Sequence, residues 1–342
     1  EKLLRNIYEK PQFVKPKLGK RPEWIDDAKT DFFLIKDLIR QIRGSNTDAK
    51  RRSCISRFQT EYIATLKLYY EKGANSERQY ELFLNTKIIR DIFLDFVEVI
   101  SETECNYAEV LADYFETMYN QLTCIKTFEP KAGSASDDDL DVFRNLMWEL
   151  FICVIVFMRH TKDYSAINTM LTHTYFLETS IFGGAIKQNN YTAFRHHSRV
   201  VEERYKPSTD MKNKFTLMGD TICNQREKLP IFTSEAIAEA DLFLYQVCNA
   251  YELAEDENSW RESYWFPTCY VYAKNAPIEW MKMKSRQYCQ KMMVLFGVSS
   301  LEELKSVVGK CVYDREMKYS GSWNAAPAIL SYVKVEEIGT LN

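Results

Sequence analysis

Two of the protein's four histidines lie side by side in the stretch NYTAFRHHSRVVEERYK, which covers Asn190–Lys206. Imidazoles beside carboxylates can transfer protons, so the first candidates for chemistry are His196, His197, Glu202 and Glu203. In a helix, adjacent side chains point about 100° apart and do not line one cleft. The stretch also lacks the two histidines one turn apart that an H-E-x-x-H zinc site requires. We therefore expect a polar face at which His196 and His197 contact a partner or ligand, with catalysis as the alternative.

A second candidate is the E-x-K pair formed by Glu316 and Lys318. On a strand, such a pair is half of a metal-dependent phosphodiesterase site, but the other half needs an acid on a neighbouring strand. No strand with a suitable aspartate is evident upstream. The sequence also has no phosphate-binding glycine loop and no G-x-S-x-G motif. We therefore predict no catalytic residues, no metal and no cofactor.

The run DDDLD at Asp137–Asp141 follows a Pro-, Gly- and Ser-containing break in the helical pattern. Ser136 with Asp139 three residues later is typical of a capping box at the start of a helix. Acidic residues in a first turn also match the positive end of the helix dipole. The alternative is that these carboxylates bind a divalent cation.

Aromatic residues cluster in WRESYWFPTCYVYA, from Trp260 to Ala273. Aromatic rings beside an arginine can stack on a base or anchor a partner. More often they fill a core between helices, and both interpretations stay open. The candidate contact residues are Trp260, Arg261, Tyr264 and Trp265.

Positive charge is concentrated near the N terminus, although the whole chain has a net charge of −3. Residues 1–57 contain 15 Lys and Arg against eight Asp and Glu. A solvated helix face explains such a bias, and nucleic-acid binding is the alternative. The candidate nucleic-acid contacts are Arg40, Arg43, Lys50, Arg51, Arg52 and Arg57.

The nine cysteines are scattered and form no C-x-x-C pair. They predict free, mostly buried thiols in a reducing cytoplasm. The N terminus has no charged segment followed by an apolar segment, which is the pattern of a secretion signal. The most apolar run, residues 146–158, is shorter than the roughly 20 residues that cross a bilayer. We therefore expect a cytoplasmic protein that does not enter a membrane.

Apolar residues at spacings of three and four predict helices along most of the chain. The predicted helices cover residues 26–42, 47–71, 76–100, 107–125, 137–159, 162–177, 191–205, 209–226, 234–251, 277–296 and 300–308. Extended segments are predicted at Trp265–Ala273 and Cys311–Tyr319. The expected fold is mainly α: an irregular multi-helical bundle with long N-terminal helices and minor β content near the C terminus.

The break around Pro130 and Gly133 suggests two domains. The predicted division is an N-terminal helical bundle with a basic surface, residues 1–129, and a C-terminal helical domain with short extended segments, residues 137–342. Leu146–Met158 is apolar on all sides, which in a globular protein requires neighbours all round. We expect this helix to be the centre of the C-terminal domain.

The runs KDYSAINTMLTHTYFLE, NYTAFRHHSRVVEERYK, FTSEAIAEADLFLYQVCNAY and KSRQYCQKMMVLFGVSSLEEL lie between Lys162 and Leu304. Their hydrophobic and Arg/Asp rhythm resembles the helical C-terminal regions of large bacterial anti-phage defence proteins. Such regions lie beside an enzymatic effector, so the resemblance implies sensing or scaffolding. It includes no catalytic motif and transfers no functional residue.

Three functions follow as hypotheses from these patterns. The first is a non-catalytic module that senses or scaffolds by binding a protein partner or its own copies, within a bacterial defence system. The second is a nucleic-acid-binding protein that uses the basic N-terminal residues. The third is an enzyme whose site is assembled from residues distant in sequence.

Overall fold

A computed structural model describes residues 32–131, 136–178, 180–252, 265–275, 277–310 and 326–342. The fold is mainly α and multi-helical, as predicted. The helices are α1 (Phe33–Arg43), α2 (Asp48–Leu66), α3 (Ser76–Asn85), α4 (Lys87–Thr103), α5 (Tyr107–Leu122), α6 (Asp141–Thr161), α7 (Tyr164–Thr172), α8 (Leu217–Asp220), α9 (Ser234–Glu252), α10 (Ile278–Lys282), α11 (Arg286–Phe296) and α12 (Leu301–Gly309). Two strands, β1 (Tyr175–Glu178) and β2 (Ile186–Asn189), form an antiparallel hairpin.

The first five helices pack against one another and bury their apolar stripes. α1 contacts α2 and α4, and α5 contacts α2 and α4. The predicted helix over residues 76–100 is wrong in one respect, because it is two helices that meet at Thr86. The Thr86 hydroxyl donates to the Phe83 carbonyl at 2.7 Å, a local bond that competes with a regular helix.

Helix α6 is buried on every side, as its sequence predicts. It packs against α3, α4, α5, α7 and α9. Every apolar side chain from Leu146 to Met158 is at most 5% exposed. The predicted capping box before α6 is also confirmed: the Ser136 hydroxyl accepts from the Asp138 N–H, and Asp139 accepts from the Ser136 N–H.

The β content of the described residues lies in the middle of the chain rather than near the C terminus. The predicted helix over residues 162–177 ends at Thr172, and β1 follows. Asn120 of α5 donates to the Phe176 carbonyl and accepts from the Glu178 N–H, at 2.9 and 2.7 Å. Asn120, which is distant in sequence, therefore forms hydrogen bonds with the backbone groups at the outer edge of β1. Because these groups are paired, the extended conformation is more stable here than a helix.

The predicted strand at Trp265–Ala273 is wrong, since this segment is irregular and ends in a 3₁₀ turn at Tyr270–Tyr272. The predicted strand at Cys311–Tyr319 lies outside the described residues. The single helix predicted over residues 209–226 is also wrong, because only α8 and a π-helical turn at Thr221–Gln225 are helical beyond short turns.

The helix predicted over residues 277–296 is interrupted between α10 and α11. The Met283 carbonyl accepts from the Gly339 N–H at 2.9 Å, and the Lys284 carbonyl accepts from the Leu341 N–H at 2.8 Å. The chain near residue 340 therefore occupies carbonyls that a continuous helix would use. This arrangement places Leu341 beside the first turn of α11.

Candidate functional site

The stretch Asn190–Lys206 is not helical at its two histidines. A 3₁₀ turn covers Tyr191–Phe194, and a π-helical segment covers Val200–Tyr205. Between them Arg195 is extended, with φ −65° and ψ 137°. The single helix predicted here is therefore wrong, because side chains such as Ser198 bond to the local backbone: its hydroxyl accepts from the Val201 N–H at 3.0 Å.

His196 and Ser198 both bind the same carboxylate. His196 Nε2 lies 2.7 Å from Asp141 Oδ1, and the Ser198 hydroxyl donates to Asp141 Oδ2 at 2.6 Å. In a catalytic triad the histidine lies between the acid and the serine. Here the acid lies between them, so the imidazole does not activate the hydroxyl. The cluster instead fastens this loop to the start of α6.

The remaining acidic candidates of the stretch have separate environments. Glu202 accepts from the Thr216 hydroxyl at 2.5 Å and from the N–H groups of Leu217 and Met218 at 3.0 and 2.8 Å, which caps α8. His197 Nε2 is 4.0 Å from Glu203 Oε1 at the surface. The partial desolvation of its ring lowers the pKa of His197, although the carboxylates of Glu202 and Glu203 oppose this. The structure does not bring these four side chains into one cleft.

The aspartates of the DDDLD run have partners within the fold. Asp137 accepts from Arg144 at 2.6 Å, and Asp138 pairs with Arg204. Asp139 accepts from the Gly73 N–H at 2.9 Å, which joins α6 to the turn before α3. Burial alone would raise the pKa of Asp141, but His196 and Ser198 hold it below its ordinary value.

Trp265 of the aromatic cluster is fully buried. Its indole N–H donates to Asp241 Oδ1 at 2.7 Å, and the Cys269 N–H donates to Asp241 Oδ2 at 2.6 Å. Burial raises the pKa of Asp241 to about 7. Trp265 is therefore part of the core rather than an exposed ligand contact. Trp260, Arg261 and Tyr264, like Glu316 and Lys318, lie outside the described residues.

Two of the basic N-terminal candidates form ion pairs within the protein. Arg43 pairs with Glu102 at 3.2 Å, and Arg51 contacts Asp48 at 3.0 Å and Glu104 at 3.5 Å. The others are exposed, without a carboxylate within 4.0 Å among the described residues: Arg40, Lys50, Arg52 and Arg57. We call these four the N-terminal patch. They do not share one face, because Lys50 and Arg57 lie on one side of α2 and Arg52 on another.

A group of three buried charges has a structural role. Arg226 donates to both oxygens of Glu149 at 2.8 and 2.7 Å and to the Phe83 carbonyl at 2.7 Å. Arg90 Nε lies 3.6 Å from Glu149 Oε1. All three charged side chains are at most 1% exposed. We call Arg90, Glu149 and Arg226 the buried cluster; it joins α3, α4 and α6.

A different arrangement is found on the surface between α10, α11 and Leu341. A groove with a volume of about 440 Å³ is lined by Met281, Lys282, Gln287, Tyr288, Lys291 and Leu341, together with Lys284 and Ser285. We call it the lysine groove. Sequence reasoning missed it because Leu341 is about 50 residues from the rest of the lining. The available signal was the stripe of Gln287, Lys291 and Val294 at helical spacing on the exposed side of α11.

The charges of the lysine groove are only partly neutralised. Lys284 Nζ donates to Glu337 Oε1 at 3.1 Å. The ammonium groups of Lys282 and Lys291 each lie 5.7 Å from the centroid of the Tyr288 ring. In the parts of the chain that are described, neither has a carboxylate within 4.0 Å. The Tyr288 hydroxyl is 2.5 Å from that of Tyr164, which holds the ring in place near the two cations.

The described residues show no cluster of three or more His, Cys, Asp or Glu side chains placed to hold a metal ion. Of their eight cysteines, seven are buried and all eight are free thiols, as predicted. None of the helices in these ranges combines the length and apolar character of a membrane span. No protein family model matches the sequence, and no significant match to a curated protein or a solved structure is found.

Proposed function

We propose that the protein is a non-catalytic helical module of the cytoplasm that binds a protein partner through the lysine groove. The observation that carries this proposal is the contrast in how polar groups are used. The catalytic candidates His196 and Glu202 make hydrogen bonds within the fold. Lys282 and Lys291 instead face solvent beside exposed apolar side chains.

Exposed apolar side chains around the lysine groove indicate that the partner is a protein. On α10, Ile278 and Met281 are 54% and 55% exposed, and Leu341 is 58% exposed across the groove. A patch of apolar groups rimmed by polar residues is typical of a protein interaction site. The resemblance of residues 162–304 to helical regions of anti-phage defence proteins, which lie beside an effector, supports the same role.

Affinity purification of the full chain from its source cells tests this proposal. Three baits are compared: the parent, a groove variant with Lys282→Glu and Lys291→Glu, and a matched patch variant with Lys50→Glu and Arg57→Glu. We expect a protein that co-purifies with the parent and with the patch variant but not with the groove variant. Identical sets of proteins from all three baits would contradict it.

Self-association through the same groove is the second form of this function. In sedimentation velocity, a homo-oligomer of the parent should revert to monomer in the groove variant. An oligomer that persists in both would place the contact elsewhere.

Nucleic-acid binding is the second candidate function, favoured by the exposed N-terminal patch. Phosphate contacts release counterions, so affinity should fall steeply between about 50 and 200 mM salt. Arg52→Glu with Arg57→Glu is the suitable variant, because Arg51 also holds α2 to the end of α4 through the Thr103 carbonyl at 3.0 Å. Binding that ignores salt or survives this variant would reject the patch as the cause.

A further inference from the structure

Positive potential in the lysine groove has two sources. The first is the pair Lys282 and Lys291, neither of which forms an ion pair within 4.0 Å among the described residues; Glu279, which interacts electrostatically with Lys282, is buried and paired with Arg159. The second is the start of α11, where the Ser285 side chain makes no capping hydrogen bond. The N–H groups of Gln287 and Tyr288 have no acceptor in the described ranges, while that of Arg286 donates to the Leu341 carbonyl at 2.7 Å. An occupant with negative charge is therefore favoured.

Apolar surface continues from the groove along both helices. Met281 and Leu341 line the groove itself. Ile278 lies one turn before Met281 on α10, and Val294, which is 49% exposed, lies one turn beyond Lys291 on α11. An inorganic anion would leave these apolar groups in water. The occupant must therefore carry apolar groups and extend beyond the groove.

The position of Tyr288 argues for a peptide rather than a nucleic acid. Single-stranded nucleic acids gain affinity by stacking bases on free aromatic faces. Here the ring is half-buried, bound to Tyr164 through its hydroxyl and within 5.7 Å of two ammonium groups. Lysine is a compact point charge that pairs with a carboxylate without a fixed bidentate geometry. Carboxylates alternating with apolar side chains match this surface.

We infer that the lysine groove binds an acidic segment of a protein partner, in which Asp or Glu side chains pair with Lys282 and Lys291 and neighbouring apolar side chains cover Met281 and Leu341. This inference rests on the proposed function and specifies the chemistry of its partner. It assigns recognition to two contributions, charge and apolar contact, that can be separated by experiment.

Fluorescence anisotropy with labelled peptides of equal length separates the two contributions. The panel contains a Glu/Leu peptide, a Glu/Ser peptide, a Lys/Leu peptide and a single-stranded oligonucleotide, each titrated with the full chain. We expect the Glu/Leu peptide to bind at least about tenfold more tightly than each of the other probes. Raising the salt concentration should lower the affinity for the Glu/Leu peptide, because the lysines that pair with its carboxylates are exposed.

The groove variant and the patch variant supply matched charge changes for this titration. Lys282→Glu with Lys291→Glu should lower the affinity for the Glu/Leu peptide at least about tenfold and shift the preference towards the Lys/Leu peptide. Lys50→Glu with Arg57→Glu should leave both affinities within about twofold of the parent. Circular dichroism confirms that each variant is folded.

The outcomes distinguish this inference from the proposed function. Equal affinity for the Glu/Leu and Lys/Leu peptides, preference for the oligonucleotide, or no peptide binding would overturn the acidic-segment inference. If the groove still retains a protein in the affinity purification, the proposed function survives with a partner of different chemistry. If no protein depends on the groove there, the proposed function itself fails.

Discussion

The buried cluster and the lysine groove both gather cations around a polar or aromatic centre, but their bonds differ. In the buried cluster, Glu149 receives two hydrogen bonds from Arg226 and lies near Arg90, away from water. In the lysine groove, the ammonium groups of Lys282 and Lys291 lie 5.7 Å from the centre of the Tyr288 ring, and neither has a carboxylate within 4.0 Å in the described ranges. A buried charge is costly unless it is paired within the fold. A hydrated charge is stable without such a pair and remains available to another molecule. The first arrangement serves the fold, and the second is available for binding.

The largest effect on this comparison should come from breaking the buried cluster. Glu149→Gln keeps the side-chain shape but leaves Arg226 as a buried charge without its counter-ion, and leaves Arg90 with Asp91 alone, at 3.1 Å. We expect the free energy of unfolding to fall by about 3–5 kcal/mol, measured by urea denaturation. Glu98→Gln, at an exposed pair with Arg43, is the control and should change it by less than about 0.5 kcal/mol. A loss below about 1 kcal/mol for Glu149→Gln would show that the cluster is not desolvated.

A slightly smaller effect is expected from a cavity in helix α6. Ile155 is fully buried, so Ile155→Ala should cost about 2–5 kcal/mol through lost transfer energy and a void. Val294→Ala is a matched truncation on the exposed side of α11 and should cost less than about 0.5 kcal/mol. A thermal midpoint for Ile155→Ala within about a degree of the parent would show that α6 is not central to the fold.

Asp241 should make stability depend on pH. Burial raises its pKa from an ordinary value of 3.8 to about 7 in the folded protein. The folded state therefore holds a proton that the unfolded state releases, so this group's contribution to stability falls as pH rises from about 4 to 7 and then levels off. Between pH 5 and 7 the loss should be roughly 2–3 kcal/mol.

Asp241→Asn isolates this contribution, because an amide does not titrate. The difference in unfolding free energy between parent and variant should shift in favour of the variant as pH rises from 5 to 7. Its absolute value includes the bonds that Asn cannot make to Trp265 and Cys269, so only the slope is informative. A difference that stays constant with pH would contradict a proton on Asp241.

The smallest effect on stability is expected in the lysine groove. Lys282→Ala with Lys291→Ala removes two exposed charges that make no ion pair in the described structure. The free energy of unfolding should change by less than about 0.5 kcal/mol, measured by urea denaturation. A loss above about 1.5 kcal/mol would mean that these lysines serve the fold, as the buried cluster does.

Local patterns predicted the parts of the fold that depend on local interactions. The all-round apolar character of Leu146–Met158 predicted a buried helix, and Ser136 with Asp139 predicted its capping box. The hairpin could not be predicted from its own residues, because helical periodicity continues through Tyr175. Its extended backbone depends on Asn120, 56 and 58 residues away in the chain.

The sites were harder to predict for the same reason. His196 owes its role to Asp141, 55 residues earlier, and no spacing in the stretch around it reveals that contact. The lysine groove depends on Leu341 reaching the start of α11 through backbone bonds to Lys284 and Arg286. The aromatic cluster was visible in the sequence, but whether Trp265 is exposed or buried depends on Asp241 in α9.

Site-specific photo-crosslinking tests most directly whether the lysine groove is the binding surface. A photoreactive residue replaces Gln287, which is exposed in the groove, or Lys50, which is exposed in the N-terminal patch. After irradiation in the source cells, we expect a protein that is crosslinked to position 287 and not to position 50. No protein at position 287, or the same protein at both positions, would contradict it.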